Sequence, residues 1–503
     1  MGTCPHCRAV TLPGDAVCYS CGRFLKGEGS EYSMPNAPMR RGTVVANGRT
    51  KNIMRRRKNH QRSLFMLAFV VFAFLSPQAR EAAFGSVEDL DGYIARLLQG
   101  SMIYPMEAEF TVVRSYDVEN NLDREGMLIE TVRLPVALPS VLLNPLEMDG
   151  STPLMLQQPI AFAVTIGTER VDVPLDGTTR ERGEAWTSLG GHEVWWPSTQ
   201  PGSQDFCPIA TCVKVRLNMD AGERVRFTTA STVSVSSHTW WDHARVDDGI
   251  PGKNFGINVD TSGSFDDVAQ RGGGVRANTF ADDQWYALSD GYAIDAQHAE
   301  VIETANAIAM RIPEGRENNA YAFARATFDW MHENVPYDTE AATVPRTGPT
   351  CLADRLGDCD EQTNAFLSVV RTRGIPGWYV FGALVNPLDF ATWELHAWGY
   401  IMLPLDSEWC AEQGVLQDNC FVEAAVDVVN NKWLLHTTNA YIDWVEEPDP
   451  SGQAIADAYA SAVFTGSGIG ETPISRTMTI STGPDVQLNG GTFSVSQYPE
   501  DLR

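Results

Sequence analysis

Residues 356–376 read Leu356-Gly357-Asp358-Cys359-Asp360-Glu361-Gln362-Thr363-Asn364-Ala365-Phe366-Leu367-Ser368-Val369-Val370-Arg371-Thr372-Arg373-Gly374-Ile375-Pro376. This spacing predicts a helix that opens at about Cys359, with Phe366, Val369, Val370 and Arg373 following its turns and Gly374 and Pro376 ending it. A thiol at a helix start meets free N–H groups and the positive end of the helix dipole, which favour thiolate over thiol. Asp358, Asp360 and Glu361 act in the opposite sense on the sulfur, because nearby carboxylates disfavour a further negative charge. The same carboxylates suit a helix N-terminus as dipole partners.

Two helical patterns precede this stretch, over 295–311 and 320–334, and Val335-Pro336-Tyr337-Asp338 stops the second. Three strands are predicted after it, over 378–384, 395–403 and 421–429. His396 lies at the start of the second strand and Asp427 on the third. A histidine on a neighbouring strand can take the proton of a helix-start thiol and later protonate a leaving amine. An acid on the next strand can hold the imidazole in the productive tautomer. Glu423 is the rival acid, because it shares the strand parity of Asp427. Cys351 is open to three readings: paired with Cys359, free, or buried. His436 has no evident partner and reads as structural.

Taken in order, these pieces resemble the transglutaminase-like superfamily, a branch of the papain-like fold. Gly357-Asp358-Cys359 matches the helix opening, Arg371-Thr372-Arg373-Gly374-Ile375-Pro376 its end, and His396-Ala397-Trp398 the histidine strand. Val335-Pro336-Tyr337-Asp338 resembles the close of the helix before the site. The resemblance covers roughly a third of the chain. It implies Cys359 as nucleophile, His396 as general base and acid, and Asp427 as orienter. It also implies acyl transfer through a thioester, with no cofactor needed. The chain departs from the family at Asp427-Val428-Val429, where Asp-Pro-Thr is common, and an apparent insertion spans 406–419. The implied activity is hydrolysis of peptide or amide bonds in a protein or peptide substrate. A cross-linking transglutaminase uses the same residues, so water exclusion and the acceptor channel separate the two. A reading of another class is a non-catalytic, membrane-tethered binding or assembly module.

The rest of the chain reads as separate pieces. At 503 residues, two to four domains are expected. A hydrophobic fraction of 43% excludes a wholly disordered chain, and a net charge of −26 excludes a nucleic-acid wrapper as the main role. The charge is uneven, with 12 Lys/Arg against 3 Asp/Glu in residues 1–62 and 26 against 61 beyond them. Between these regimes, residues 64–75 are an unbroken apolar run behind Arg55-Arg56-Arg57-Lys58. Twelve helical residues span about 18 Å of a hydrocarbon core of about 30 Å, and thinning or snorkelling closes the gap. We read residues 63–83 as a single-pass anchor contacting membrane lipid. The basic flank puts the N-terminus in the cytoplasm and the catalytic part outside. A late signal peptide and a buried core helix are the competing readings.

Cys4, Cys7, Cys18 and Cys21 form C-x2-C-x10-C-x2-C. Four thiolates satisfy tetrahedral zinc and leave no open position, so residues 1–25 read as a ribbon with structural zinc. A pair of redox motifs is the alternative. Residues 26–62 read as a basic flexible linker. Residues 101–280 are β-rich, with strands predicted over 108–116, 127–136, 160–166, 211–217 and 224–235, and a sandwich-like arrangement follows. Trp195-Trp196 and Trp240-Trp241 read as packing ahead of a binding surface. Cys207 with Cys212, and Cys410 with Cys420, are candidate disulfides outside the membrane. Residues 285–447 read as the catalytic domain and 448–503 as a tail with two short strands. The fold class expected is multidomain α+β: ribbon, transmembrane helix, β sandwich and transglutaminase-like core.

Overall fold

Alternation of inward and outward side chains shapes the two longest strands of the first half of the molecule. The computed structural model describes residues 2–3, 10–11, 102–139, 155–175, 186–195, 212–241, 256–270, 284–288, 291–340, 346–386, 390–417, 420–446, 462–465, 473–495 and 502. The strand Met102–Asn120 buries every even-numbered side chain from Ala108 to Asn120. It pairs along most of its length with Arg224–Ser236, which pairs in turn with Met155–Ile166. A second sheet joins Gly126–Arg133, Cys212–Met219, His192–Trp195 and Trp186–Leu189. Leu128, Val132, Val213, Val215 and Leu217 of this sheet pack against Tyr116, Phe162, Val164 and Phe227 of the first. Each such side chain contributes about 1.5–3 kcal/mol on burial.

Both sheets are completed from the far end of the chain. Ile474–Thr482 and Gln487–Val495 pair with Met102–Asn120, and Ala462–Thr465 pairs with Gly126–Arg133. The segment read as a tail therefore supplies three strands to the two sheets. Its Ile, Ser and Thr alternation suits an edge, but the partner lies more than 300 residues away and leaves no local mark.

The second half is an antiparallel sheet in the order Lys432–Trp433, Phe421–Asp427, Trp393–Pro404, Gly377–Val385, Ala440–Val445. The helices Ala299–Ala309, Ala320–Asn334 and Cys359–Arg371 share one core with it, including Val301, Phe323, Phe328, Phe366, Val370, Tyr379 and Ile401. Arg325 is buried among the rings of Trp241, Phe328 and Trp433, with Asp329 as its counter-ion at 3.0 Å. Trp240 and Trp241 are thus core residues. Cys410 and Cys420 form a disulfide that closes the loop between two neighbouring strands.

The sandwich and this sheet meet along an apolar seam. Ala108, Phe110, Val112, Val233 and Val235 pack on Ala383, Val385, Phe390, Trp393 and Tyr441. The edge strand Ala440–Val445 is sewn down by Gln157, whose amide donates to the Ile442 carbonyl and accepts from the Ile442 N–H, each at 2.8 Å. Residues 4–9, Cys18, Cys21 and the segment 63–83, expected to be an anchor, lie outside the described residues, as does Cys207. Among the described residues no helix is long and apolar enough to cross a membrane, and no cluster of three His, Cys, Asp or Glu is positioned for a metal ion.

Candidate active site

Cys359 is the first residue of the helix Cys359–Arg371. The Asp358 side chain accepts from the N–H groups of Asp360 and Glu361, and the Glu361 carboxylate accepts from the Asp358 N–H at 3.2 Å. This capping box fixes the start of the helix, and it does not take the Cys359 N–H. Arg346 in turn holds Glu361 through two bonds of 2.8 Å, and reaches Asp354 at 3.1 Å. Burial alone would raise the Glu361 pKa, but Arg346 more than offsets it and holds the carboxyl below its usual range. Gly357 is required two residues before the cysteine, because a Cβ there would meet Cys351 Sγ at 2.7 Å and Glu361 Cβ at 3.0 Å. Residue 357 also pairs with Tyr337, which ties the Val335-Pro336-Tyr337-Asp338 segment to the approach to the cysteine.

His396 lies on the strand Trp393–Pro404, opposite Gly382. A side chain on Gly382 would run into the Tyr441 carbonyl oxygen, so only glycine lets the neighbouring strand close here. His396 Nε2 lies 3.0 Å from Asp427 Oδ2, and both residues are buried. A carboxylate can only accept, so the facing Nε2 is placed to donate, and the Asn430 amide nitrogen lies 3.1 Å from the same Nε2. Asn430, on the turn after the aspartate strand, donates its backbone N–H to Asp427 Oδ1 at 3.1 Å and its amide to Oδ2 at 2.8 Å. The Trp398 ring stacks near the imidazole at 5.7 Å. Glu423 keeps the predicted parity on the same strand, but the carboxylate that meets His396 is that of Asp427.

Burial would raise the Asp427 pKa, yet His396, Lys432 and Asn430 hold it below the usual carboxylate range. Lys432, buried beside it, is lowered to about 8 by burial, with Asp427 opposing. Around the sulfur the balance differs. Burial, then Asp360 and Asp358, push the Cys359 thiol well up, while the Ala397 backbone N–H acts against them. The preference for thiolate that a helix start confers is thus opposed here by desolvation and by two carboxylates. Asp358 itself is raised to about 7, by burial first and then by Asp360 and Glu361.

The sulfur lies 3.6 Å from Asp360 Oδ1, and the Tyr379 hydroxyl donates to the same oxygen at 2.7 Å. Cys351 is free and buried beneath the helix start. Asp360 stands out in the sequence as a carboxylate beside the cysteine, whereas Asn430, Tyr379 and Lys432 do not stand out as site residues. Of these three, only Asn430 carries a usable pattern, an Asp-x-x-Asn turn directly after a strand.

Three comparisons complete the picture. The chain matches no curated protein. The solved structure of a "Putative Cysteine Protease" from Cytophaga hutchinsonii aligns with 78% of this chain and 97% of its own, at 13% identity and a TM-score of 0.39. The family model of the transglutaminase-like superfamily core matches residues 306–412, a span that ends before Asp427. Cys359 and His396 both lie within residues 306–412, the span that this family model matches.

Proposed function

We propose that the chain is a membrane-anchored cysteine enzyme that hydrolyses peptide or amide bonds through Cys359, His396 and Asp427. The observation that carries this reading is the buried bond of 3.0 Å between His396 Nε2 and Asp427 Oδ2, beside a cysteine that opens a helix. With Nε2–H turned to Asp427, Nδ1 takes the proton from the Cys359 thiol as the sulfur attacks the carbonyl carbon. The Cys359 N–H faces the oxygen on which negative charge develops. The imidazolium then protonates the leaving amine, the C–N bond breaks and a thioester remains. Water, losing a proton to Nδ1, attacks the thioester, and the C–S bond breaks to release the acid and the thiol. A lysine amine in place of water gives a cross-linked product instead. Residues 63–83 as anchor, and Cys4, Cys7, Cys18 and Cys21 as a structural zinc site on the cytoplasmic side, are part of the same proposal and rest on sequence alone.

The test compares the full-length protein with its Cys359→Ala variant, each incubated with an unfolded protein and a fluorescent primary amine. Cys359-dependent fragments are expected. Cys359-dependent labelling without cleavage would make the chain a transglutaminase. Neither product would leave the binding-module reading, which the departure at Asp427-Val428-Val429 favours.

A further inference from the structure

We infer that Asp360 is a positioning residue for Cys359: together with Tyr379 it holds the resting sulfur as a protonated hydrogen-bond donor until that contact is displaced. This rests on the reading of Cys359 as the nucleophile and adds a regulating group to the same site.

The argument is geometric. Asp360 Oδ1 stands 3.6 Å from Cys359 Sγ, within reach of an S–H donor. A carboxylate oxygen only accepts, so a hydrogen bond along this line requires the proton to sit on sulfur. A thiolate there would face the carboxylate with no proton between two negative charges. Tyr379 fixes the carboxylate. It is fully buried on the strand Gly377–Val385, next to the histidine strand, and its hydroxyl donates to the same Oδ1 at 2.7 Å. The other ionisable groups acting on this sulfur are Asp358 from the cap and Asp427 from the sheet. Tyr337 couples to it from the segment after the helix Ala320–Asn334. None of these three is a cation that would hold a thiolate at rest. Displacement of the Asp360 contact frees the S–H, whose proton then passes to His396 Nδ1 and leaves the charge on sulfur.

The experiment is alkylation of Cys359 by iodoacetamide in the full-length protein. The rate is followed across pH by the mass of the Cys359 peptide, so that the buried Cys351 does not interfere. Asp360→Asn keeps an acceptor oxygen for Tyr379 and removes the charge. Its alkylation midpoint is expected to move down by about one pH unit, which is about 10-fold faster reaction below the midpoint. Tyr379→Phe removes the competing donor, strengthens the hold of Oδ1 on the thiol, and is expected to move the midpoint up. A purely structural role would change melting temperature without moving the two midpoints in opposite directions. An Asp360→Asn midpoint that is unchanged or raised overturns the proposal. If that variant does not fold, an unchanged or lowered Tyr379→Phe midpoint overturns it. Alkylation needs no turnover, so this failure is distinct from failure of the enzyme reading, which would show as absence of Cys359-dependent product from the parent.

Discussion

Lowering the pH from 7.5 to 5 should loosen the seam between the sandwich and the sheet that carries His396 and Asp427, through two buried histidines. His238 and His436 face each other on a two-residue ladder that joins the halves. Both are buried. Among the described residues neither ring nitrogen of His238 has a hydrogen-bond partner, nor does Nε2 of His436. Burial holds His238 down at about 4, while burial, Lys432 and His238 hold His436 down at about 3, with the Leu156 backbone opposing. Above about pH 6.5 both rings are neutral whether the chain is folded or unfolded, and they make stability neither rise nor fall. Below that, the unfolded chain binds protons that the folded chain refuses, so stability falls by about 1.4 kcal/mol per pH unit for each ring. The slope ends as pH passes the folded values. Between pH 7.5 and 5 each ring costs about 2 kcal/mol. Carboxylates held low in the fold, such as Asp427 and Glu361, also lose stabilisation on acidification, so a variant is needed to isolate the rings. His238→Phe removes one titrating ring, sacrifices no hydrogen bond, and keeps an aromatic edge for Trp240. Urea unfolding followed by tryptophan fluorescence should find the variant at least as stable as the parent at pH 7.5. At pH 5 it should be more stable by about 2 kcal/mol. A pH dependence identical to that of the parent would refute the reasoning, as would a loss above about 1 kcal/mol at pH 7.5.

Three further outcomes are expected. Asp427→Asn turns an amide donor toward His396 and favours the wrong tautomer, so kcat/KM on a Cys359-dependent substrate should fall about 10³–10⁴-fold with KM little changed. Arg114→Met leaves Asp443 buried without its bidentate partner and should cost about 3–5 kcal/mol in chemical denaturation, whereas adding Asp443→Leu should recover most of it. Replacing both Cys410 and Cys420 by alanine opens a loop with a sequence separation of 10 and should lower stability by about 2–3 kcal/mol, measured the same way.

What was legible in the sequence follows from what is local. The helix Cys359–Arg371 is marked by its own cap, its apolar spacing and the Gly374 stop, all within a few turns. Ala320–Asn334 and the five long strands of the sandwich are likewise visible in periods of 3.6 and 2. Cys359, His396 and Asp427 could be named because chain order and neighbouring motifs single them out. Asp427 was named with Glu423 as its rival, since both have the same strand parity, and the turn carrying Asn430 distinguishes their surroundings. Strand pairing across hundreds of residues was hidden, and so the last segment read as a tail when it completes both sheets. The sulfur's charge state went the same way. Helix position is local and favours thiolate, but desolvation and the contact of Asp360 with Tyr379 exist only once the sheet has packed against the helix. The sequence by itself determined the elements and the residue types that can do chemistry. Tertiary structure decided which carboxylate holds the histidine and which one faces the thiol, because burial and charge proximity depend on contacts between residues far apart in the chain.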